Sequence, residues 1–163
     1  PAWTCAMFSS TLKKNEAIGD VGMVEITRSY EIEVEMIDSD HRRLVDIINE
    51  ITQAIDDKRE EECARLVPDF VSFSKQHFAR EEALLTKNGY PGVEKHRKHH
   101  ASLDGKMDTM LALAERVVES AAAREELRKE LIFFLMDDVI NEDMNFKSFL
   151  VEAESREGGS TDG

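Results

Sequence analysis

The stretch from His77 to His100 constrains the fold most, because it joins two pairs of potential metal ligands through one turn. Within it, His77 and Glu81 are four residues apart, as are His96 and His100, so each pair projects from one face of a helix. The sequence NGYPG between the pairs offers a glycine that can end one helix and a proline that can begin the next. The stretch therefore predicts two antiparallel helices whose imidazole and carboxylate groups share one space, as metal sites in helical bundles do.

Apolar residues recur at helical spacing in four segments, with brief connections between them. Pro68 either kinks the second segment or marks the start of its regular part. A short helical continuation is expected from Asp143 to Leu150. This pattern predicts an all-α fold, an up-down-up-down four-helix bundle. The first segment follows Asp38 as its N-cap, and the second runs from about residue 60 to 87. The third runs from Pro91 to about residue 118, and the fourth follows Ser120 as its N-cap.

The chain of 163 residues is long enough to bury one core. We expect an N-terminal arm over residues 1–30, a bundle over residues 31–152, and a flexible, disordered tail over residues 153–163. The tail is rich in Ser, Gly, Asp and Glu, which cannot bury enough apolar surface to order a segment. The arm is expected to pack, if at all, through Trp3, Phe8 or Tyr30.

The net charge of −13 argues against nucleic acid and against an anionic membrane surface as partners. The apolar run from Leu131 to Met136 is far too short to span a membrane. Two cysteines are too few for a disulfide framework, and the first residues do not form a signal-peptide pattern. We therefore expect a cytoplasmic protein.

Ionisable side chains interrupt the apolar stripes of the predicted helices. Burying them together costs several kcal/mol unless they pair or bind a cation. Each His pair alone has an ordinary explanation as a surface ion pair or a chance spacing, whereas their joint placement favours a metal site. Imidazole and carboxylate ligands suit iron, zinc or manganese. His99 lies one position off its stripe and is expected to face solvent. The candidate ligands are His41, His77, Glu81, His96, His100, Asp138 and Asp143.

Three motifs over roughly residues 30 to 150 resemble the hemerythrin family, the bacterial hemerythrins in particular. They are I-D-x-x-H, which ends at His41, H-F-x-x-E-E, which begins at His77, and G-Y-P followed by His96 and His100. The resemblance implies a four-helix bundle that holds two iron ions bridged by carboxylates and an oxo or hydroxo group. It also implies reversible dioxygen binding without enzymatic turnover.

Residue by residue, the resemblance assigns His41 and His77 to one iron. It assigns His96 and His100 to the other iron. Glu81 and Asp143 would be the bridging carboxylates.

The chain departs from the family where the fourth helix normally carries W-L-x-x-H-I-x-x-x-D. Asp138 replaces that histidine and Phe134 replaces the tryptophan. Upstream, Glu33 stands where the family has a glycine, and Ile26 where it has a tryptophan. If Asp138 lies beside the second iron, its negative charge favours ferric iron and makes autoxidation easier.

Four functions follow from this reading. The first is a non-enzymatic dioxygen-binding protein for sensing, storage or delivery, whose signalling output would need a partner protein. The second is a di-iron enzyme with peroxidase or oxidase chemistry, favoured if Asp138 leaves the second iron open. The third is a bundle that handles metal or binds nitric oxide. The fourth is a degenerate bundle with one metal or none.

Overall fold

A computed structural model describes residues 12–13 and 23–158, and four helices form its core. Short connections make consecutive helices antiparallel. Each helix packs against the next, and the first also packs against the fourth, which closes the bundle. The predicted all-α four-helix bundle is confirmed. The helices are α1 (Glu35–Asp56), α2 (Glu60–Lys87), α3 (Val93–Ala114) and α4 (Ala121–Leu135).

Helix α1 begins earlier than its sequence predicts. Val34 occupies the N-cap position and its side chain caps nothing, so the prediction that Asp38 is the N-cap was wrong. Asp38 instead lies buried in the first turn and reaches back along the chain. Its carboxylate accepts hydrogen bonds from the backbone N–H groups of Ile32 (2.7 Å) and Glu33 (2.9 Å). Asp38 therefore fixes the segment that enters α1, and with it the direction of the helix that carries His41.

Two other predicted helix ends are confirmed. The Ser120 hydroxyl accepts a hydrogen bond from the backbone N–H of Ala123 at 3.1 Å and caps α4. Gly89 has φ of 69°, the left-handed conformation that ends α2 and turns the chain towards α3. Both ends follow local rules of side-chain and backbone geometry, which is why the sequence alone sufficed.

Pro68 lies inside α2, which begins at Glu60, so Pro68 does not mark the start of this helix. Helix α3 is shorter than expected. It begins at Val93, after the turn through Pro91, and ends at Ala114. Turns follow, closed by a hydrogen bond from the backbone N–H of Ser120 to the carbonyl of Arg116.

Helix α4 continues into a π-helix over Met136–Glu142, a 3₁₀ turn over Asp143–Asn145, and α5 (Lys147–Gly158). The sequence predicted the helical continuation, and not its π geometry. In an α-helix, residues five apart point about 140° away from each other. A π-helix has a wider turn closed by i to i+5 hydrogen bonds, so Asp138 and Asp143 can both face the core. Helix α5 extends past the start of the predicted tail at residue 153, and residues 159–163 lie outside the described part of the chain.

A layer of polar side chains separates two apolar clusters in the bundle. The larger cluster includes Leu44, Phe78, Leu103 and Ile140, and the smaller one includes Ile37, Leu85 and Phe146, with Val93 packed against it. In each of the four helical segments of the bundle, at least one polar residue lies between a member of one cluster and a member of the other. These polar residues are His41, Glu81, His96, His100 and Asp143, and all are buried.

Part of the predicted arm packs on the bundle. β1 (Leu12–Lys13) pairs antiparallel with β2 (Met23–Val24), and the Asn49 side chain holds the backbone N–H and C=O of Val24, each at 2.9 Å. Tyr30 is partly buried against the larger cluster, as expected, whereas Trp3 and Phe8 lie outside the described residues. Among the helices in the described part of the chain, none combines the length and apolarity needed to cross a membrane.

Candidate metal centre

Two groups of four buried side chains lie in the polar layer and share two members. In each group, one potential ligand atom per residue lies within 4.8 Å of the corresponding atoms of the others. Glu81 and Asp143 belong to both groups. The first group adds His41 from α1 and His77 from α2, and the second adds His96 and His100 from α3.

In the first group, the carboxylates present one oxygen each to the two histidines. His41 Nε2 lies 3.0 Å from Asp143 Oδ2, and His77 Nε2 lies 4.0 Å from the same oxygen. His77 Nε2 also lies 3.5 Å from Glu81 Oε2.

In the second group, the same carboxylates present their other oxygens. His96 Nε2 contacts Glu81 Oε1 and lies 3.6 Å from Asp143 Oδ1, and His100 Nε2 lies 3.4 Å from Glu81 Oε1. Each shared carboxylate therefore directs one oxygen to each group, which is the arrangement that two bridged cations require.

Asp138 is fully buried but belongs to neither group. Its Oδ1 atom lies 3.6 Å from His100 Nε2 and 3.6 Å from His99 Nε2. Neither Asp138 oxygen has a hydrogen-bond partner among the described residues. The expectation that His99 faces solvent was wrong, because its side chain is only 17% exposed and its Nε2 atom is buried against Asp138.

The outer nitrogen of His77 is held by a charged pair. Its Nδ1 atom lies 3.3 Å from Asp40 Oδ2, which also accepts a hydrogen bond from Arg80 Nε at 2.8 Å. Burial raises the pKa of Asp40, but hydrogen bonds from His77 and Arg80 outweigh it and bring that pKa to about 2. A stable carboxylate at Nδ1 favours the tautomer with hydrogen on Nδ1, which leaves the Nε2 lone pair directed into the centre.

The outer nitrogen of His100 is held in the same way. Its Nδ1 atom lies 2.7 Å from Glu82 Oε1, and Arg97 Nε lies 3.5 Å from the other oxygen of Glu82. Neither Asp40 nor Glu82 was predicted from the sequence as a supporting group. A signal existed, since each is adjacent in sequence to a candidate ligand, His41 or Glu81.

Burial drives the inner groups towards their neutral forms. It raises the pKa values of Glu81, Asp138 and Asp143, and the neighbouring carboxylates raise them further. Burial also lowers the pKa values of the ligand-group histidines, to about 2 for His100. Because the imidazoles are neutral, a cation that binds between these closely spaced carboxyls has only protons to displace.

The unpartnered atoms fit a metal. Buried polar groups in native proteins nearly always have partners, so a cluster of orphans calls for an explanation. Nitrogen and carboxylate oxygen together suit a first-row transition metal such as iron, zinc or manganese. Within the described part of the chain, the atoms at this centre without a hydrogen-bond partner include His77 Nε2, His100 Nε2, Glu81 Oε2 and Asp143 Oδ1.

A family model described as the Hemerythrin HHE cation binding domain matches residues 33–150. The chain belongs to the hemerythrin family. The match covers all four bundle helices and every residue of both buried groups. The resemblance inferred from three short motifs is therefore confirmed over the whole bundle.

Several bacterial hemerythrin-family proteins are similar to part of the chain. Proteins named bacteriohemerythrin from Pseudomonas aeruginosa and Pseudomonas paraeruginosa are 33% identical over 67 residues, which is 41% of this chain and 44% of theirs. A bacteriohemerythrin from Stenotrophomonas maltophilia is 29% identical over 69 residues, or 42% of this chain and 45% of its own. The aligned stretch thus spans less than half of each relative.

The family departures noted in the sequence have structural counterparts in this hemerythrin-family chain. Glu33, in place of the glycine, has φ of 69°, a left-handed conformation that glycine adopts more easily. Phe134, in place of the tryptophan, is fully buried and packs edge-to-face on Phe70 with ring centroids 5.3 Å apart. The first substitution costs backbone strain, whereas the second keeps an aromatic ring in the core.

Proposed function

We propose that this chain holds two iron ions between its four helices and binds dioxygen reversibly. The observation that carries the proposal is the pair of four-residue groups that share Glu81 and Asp143. Each of these carboxylates turns one oxygen to either group, so two cations could share both. The pair of irons would supply the electrons and the open coordination position that dioxygen binding needs.

In this proposal His41 and His77 hold one iron, and His96 and His100 hold the other. Asp138 Oδ1 lies 3.6 Å from His100 Nε2, so Asp138 would be available only to the second iron. The first iron would then have fewer protein ligands, and we place the dioxygen position there. The Asp40 carboxylate would keep His77 in the ligating tautomer.

Apolar side chains near His41 and His77 would keep water from the bound gas. Leu44 lies one turn after His41 and is fully buried. Phe73 lies one turn before His77 and is half-buried, with the Arg80 guanidinium 5.3 Å from its ring centroid. Exclusion of water would slow both the loss of bound dioxygen and the irreversible oxidation of the iron pair.

An optical experiment tests this function. Metal-free protein is loaded anaerobically with Fe²⁺, exposed to dioxygen, and returned to an oxygen-free atmosphere while the visible spectrum is followed. We expect a band that appears with dioxygen and disappears on its removal, over several cycles. Protein loaded with Zn²⁺, which has no redox chemistry, is the matched control and should show no band.

A single irreversible oxidation by dioxygen would contradict reversible binding.

The second candidate function, a di-iron enzyme with peroxidase or oxidase chemistry, is favoured by one observation. Asp138 stands in place of a histidine, and both its oxygens lack a partner among the described residues. Sustained turnover of hydrogen peroxide with a reductant, reduced by Asp138→His, would favour the enzyme over the oxygen binder.

The biological use of bound dioxygen is a further part of this proposal. Sensing, storage and delivery are all compatible with the centre, and a sensing role would require a signalling partner protein. A cytoplasmic location and the absence of nucleic-acid binding remain predictions from composition and charge.

A further inference from the structure

We propose that His99 is a positioning residue that directs Asp138 towards the second metal ion. The proposal rests on the two-metal centre described above. In the metal-bound protein, the Nε2–H group of His99 would donate a hydrogen bond to Asp138. The Asp138 carboxylate would then present a lone pair to the ion held by His96 and His100. The histidine missing from the fourth helix is thus replaced by an aspartate and histidine pair from two helices.

The geometry around Asp138 supports this role. Its Oδ1 atom has two nitrogen neighbours, His99 Nε2 and His100 Nε2, each at 3.6 Å. These two histidine nitrogens, and both carboxylate oxygens of Asp138, are buried without a hydrogen-bond partner among the described residues. A separation of 3.6 Å exceeds an N–H···O hydrogen bond by about half an ångström, so a small shift closes it.

His99 is poorly placed to be a ligand itself. Adjacent residues on an α-helix point about 100° apart, so His99 and His100 do not face one position. Their ring centroids are 6.3 Å apart, and His99 belongs to neither of the two four-residue groups. His99 can therefore reach the centre only through Asp138.

The same device holds other ligands of this centre. Asp40 accepts from His77 Nδ1, and Glu82 accepts from His100 Nδ1, so two imidazoles are oriented by carboxylates outside the centre. The pair of His99 and Asp138 has these roles exchanged, with an imidazole orienting a carboxylate. Such outer partners commonly change metal affinity 10- to 100-fold when removed.

Asp138 needs such a partner more than a histidine would. Its side chain is shorter than the imidazole it replaces, and its carboxylate can rotate to direct either oxygen elsewhere. It sits in the π-helical turn Met136–Glu142 and is fully buried, so its carboxylate is shielded from bulk solvent. A donor on α3 fixes the carboxylate on the side of His100, where the second ion would lie.

The test is a double-mutant cycle read by metal release. Full-length protein with Fe²⁺ bound is mixed anaerobically with excess 1,10-phenanthroline, and the release of each ion is timed. We expect His99→Leu to accelerate release of one ion by about 10- to 100-fold, with Asp138→Ala having a similar effect. The double variant should release that ion no faster than Asp138→Ala alone, because His99 acts only through Asp138.

Two further variants separate positioning from general packing. His99→Gln keeps a side-chain N–H donor at a similar reach and should stay within about threefold of the wild-type release rate. Lys98→Leu changes an exposed neighbour on the same helix and should leave release unchanged. If both ions leave in a single phase, the same non-additivity is expected in that one rate.

The outcomes also separate this proposal from the function on which it rests. Wild-type protein that holds fewer than two ions overturns both. Wild-type protein that holds two ions, combined with an unchanged release rate in His99→Leu or with additive effects in the double variant, overturns the role of His99 alone.

Discussion

At the scale of single residues, Asp138 distinguishes this centre from one with five histidines. It replaces a neutral imidazole by a buried carboxylate whose Oδ1 atom lies 3.6 Å from His100 Nε2. Burial raises the pKa of Asp138, and the charge of Asp143 raises it further. A metal ion beside it would displace the proton and leave a negative charge next to the second ion.

We expect Asp138→His to raise the reduction potential of the iron pair and to slow its autoxidation. A negative charge stabilises ferric iron over ferrous iron, and the substitution removes that charge. A unit charge at about 4 Å is worth about 4 kcal/mol at an effective dielectric constant of 20, so a shift on the order of 100 mV is expected. Redox titration and the rate of oxidation in air measure the two effects.

Asp137→His is the matched control, because it places a histidine one position away without removing the carboxylate beside His100. It should leave the potential and the autoxidation rate close to wild type. A faster autoxidation in Asp138→His than in Asp137→His would contradict the electrostatic account of this residue.

The sequence predicted the buried ligand candidates because regular helical spacing projects them onto one face. His77 with Glu81, and His96 with His100, needed no knowledge of the rest of the chain. The position of His99 could not be predicted in this way. Its Nε2 atom lies 3.6 Å from Asp138 Oδ1, which belongs to another helix and is brought close by tertiary packing.

At the scale of elements, the π-helix Met136–Glu142 brings Asp138 and Asp143 to the same side of the chain. A sequence pattern with α-helical periodicity places residues five apart on different faces. Their joint burial was expected because both residues lie on or beside the apolar stripes of the sequence, and the backbone geometry supplies its physical cause. A π-helix has no simple sequence signature, so this part of the fold could not be predicted from spacing.

The segment that enters α1 carries backbone strain at Glu33. Its φ of 69° is unfavourable for residues with a Cβ atom, although the Glu33 carboxylate pairs with Lys147 Nζ at 2.8 Å. The Glu33 side of that ion pair is 60% exposed, so the pair is worth little. We expect Glu33→Gly to raise the free energy of unfolding by about 1 kcal/mol, because glycine adopts this conformation without steric cost.

Glu33→Ala is the control for the Glu33 prediction, since it removes the same ion pair and keeps a Cβ atom. Urea unfolding of both variants, with the metal state held constant, measures the difference. A destabilised Glu33→Gly variant, equal to or worse than Glu33→Ala, would show that the ion pair outweighs the strain.

At the scale of the whole molecule, the bundle places a polar layer between two apolar clusters. Without a metal, the protein must keep this layer neutral, and burial does so by raising the pKa values of Glu81, Asp138 and Asp143. Raised pKa values mean that the folded protein binds more protons than the unfolded chain. The stability of the metal-free protein contributed by these groups therefore falls as pH rises above about 4.

Histidines oppose this trend only at lower pH. Burial lowers their pKa values, so their contribution to stability is lost as pH falls below about 6.5 and is constant above it. Above about pH 7 the histidine contribution is constant and only the buried carboxyls can still lose protons, so metal-free protein should not gain stability with rising pH. Urea unfolding at pH 7 and 8.5 measures this, and metal-free protein that gains stability over this range would contradict it.

Metal binding should also release protons, because cations displace them from the shared carboxylates. A net release of protons is therefore expected when the cation binds. An indicator dye in weakly buffered solution, titrated with Zn²⁺, reports it directly. Binding without proton release would mean that the carboxyls are already ionised in the metal-free protein.

The central claim is that Glu81 and Asp143 join two metal ions in one centre, and the number of ions bound tests it most directly. Metal-free protein is titrated anaerobically with Fe²⁺ and the bound iron is counted per chain, in wild type and in Glu81→Ala. We predict two ions in the wild type and weakened binding of both ions in Glu81→Ala, because the substitution removes both side-chain oxygens and each group loses one of them. A single ion in the wild type, or loss of only one ion in the variant, would contradict the shared centre.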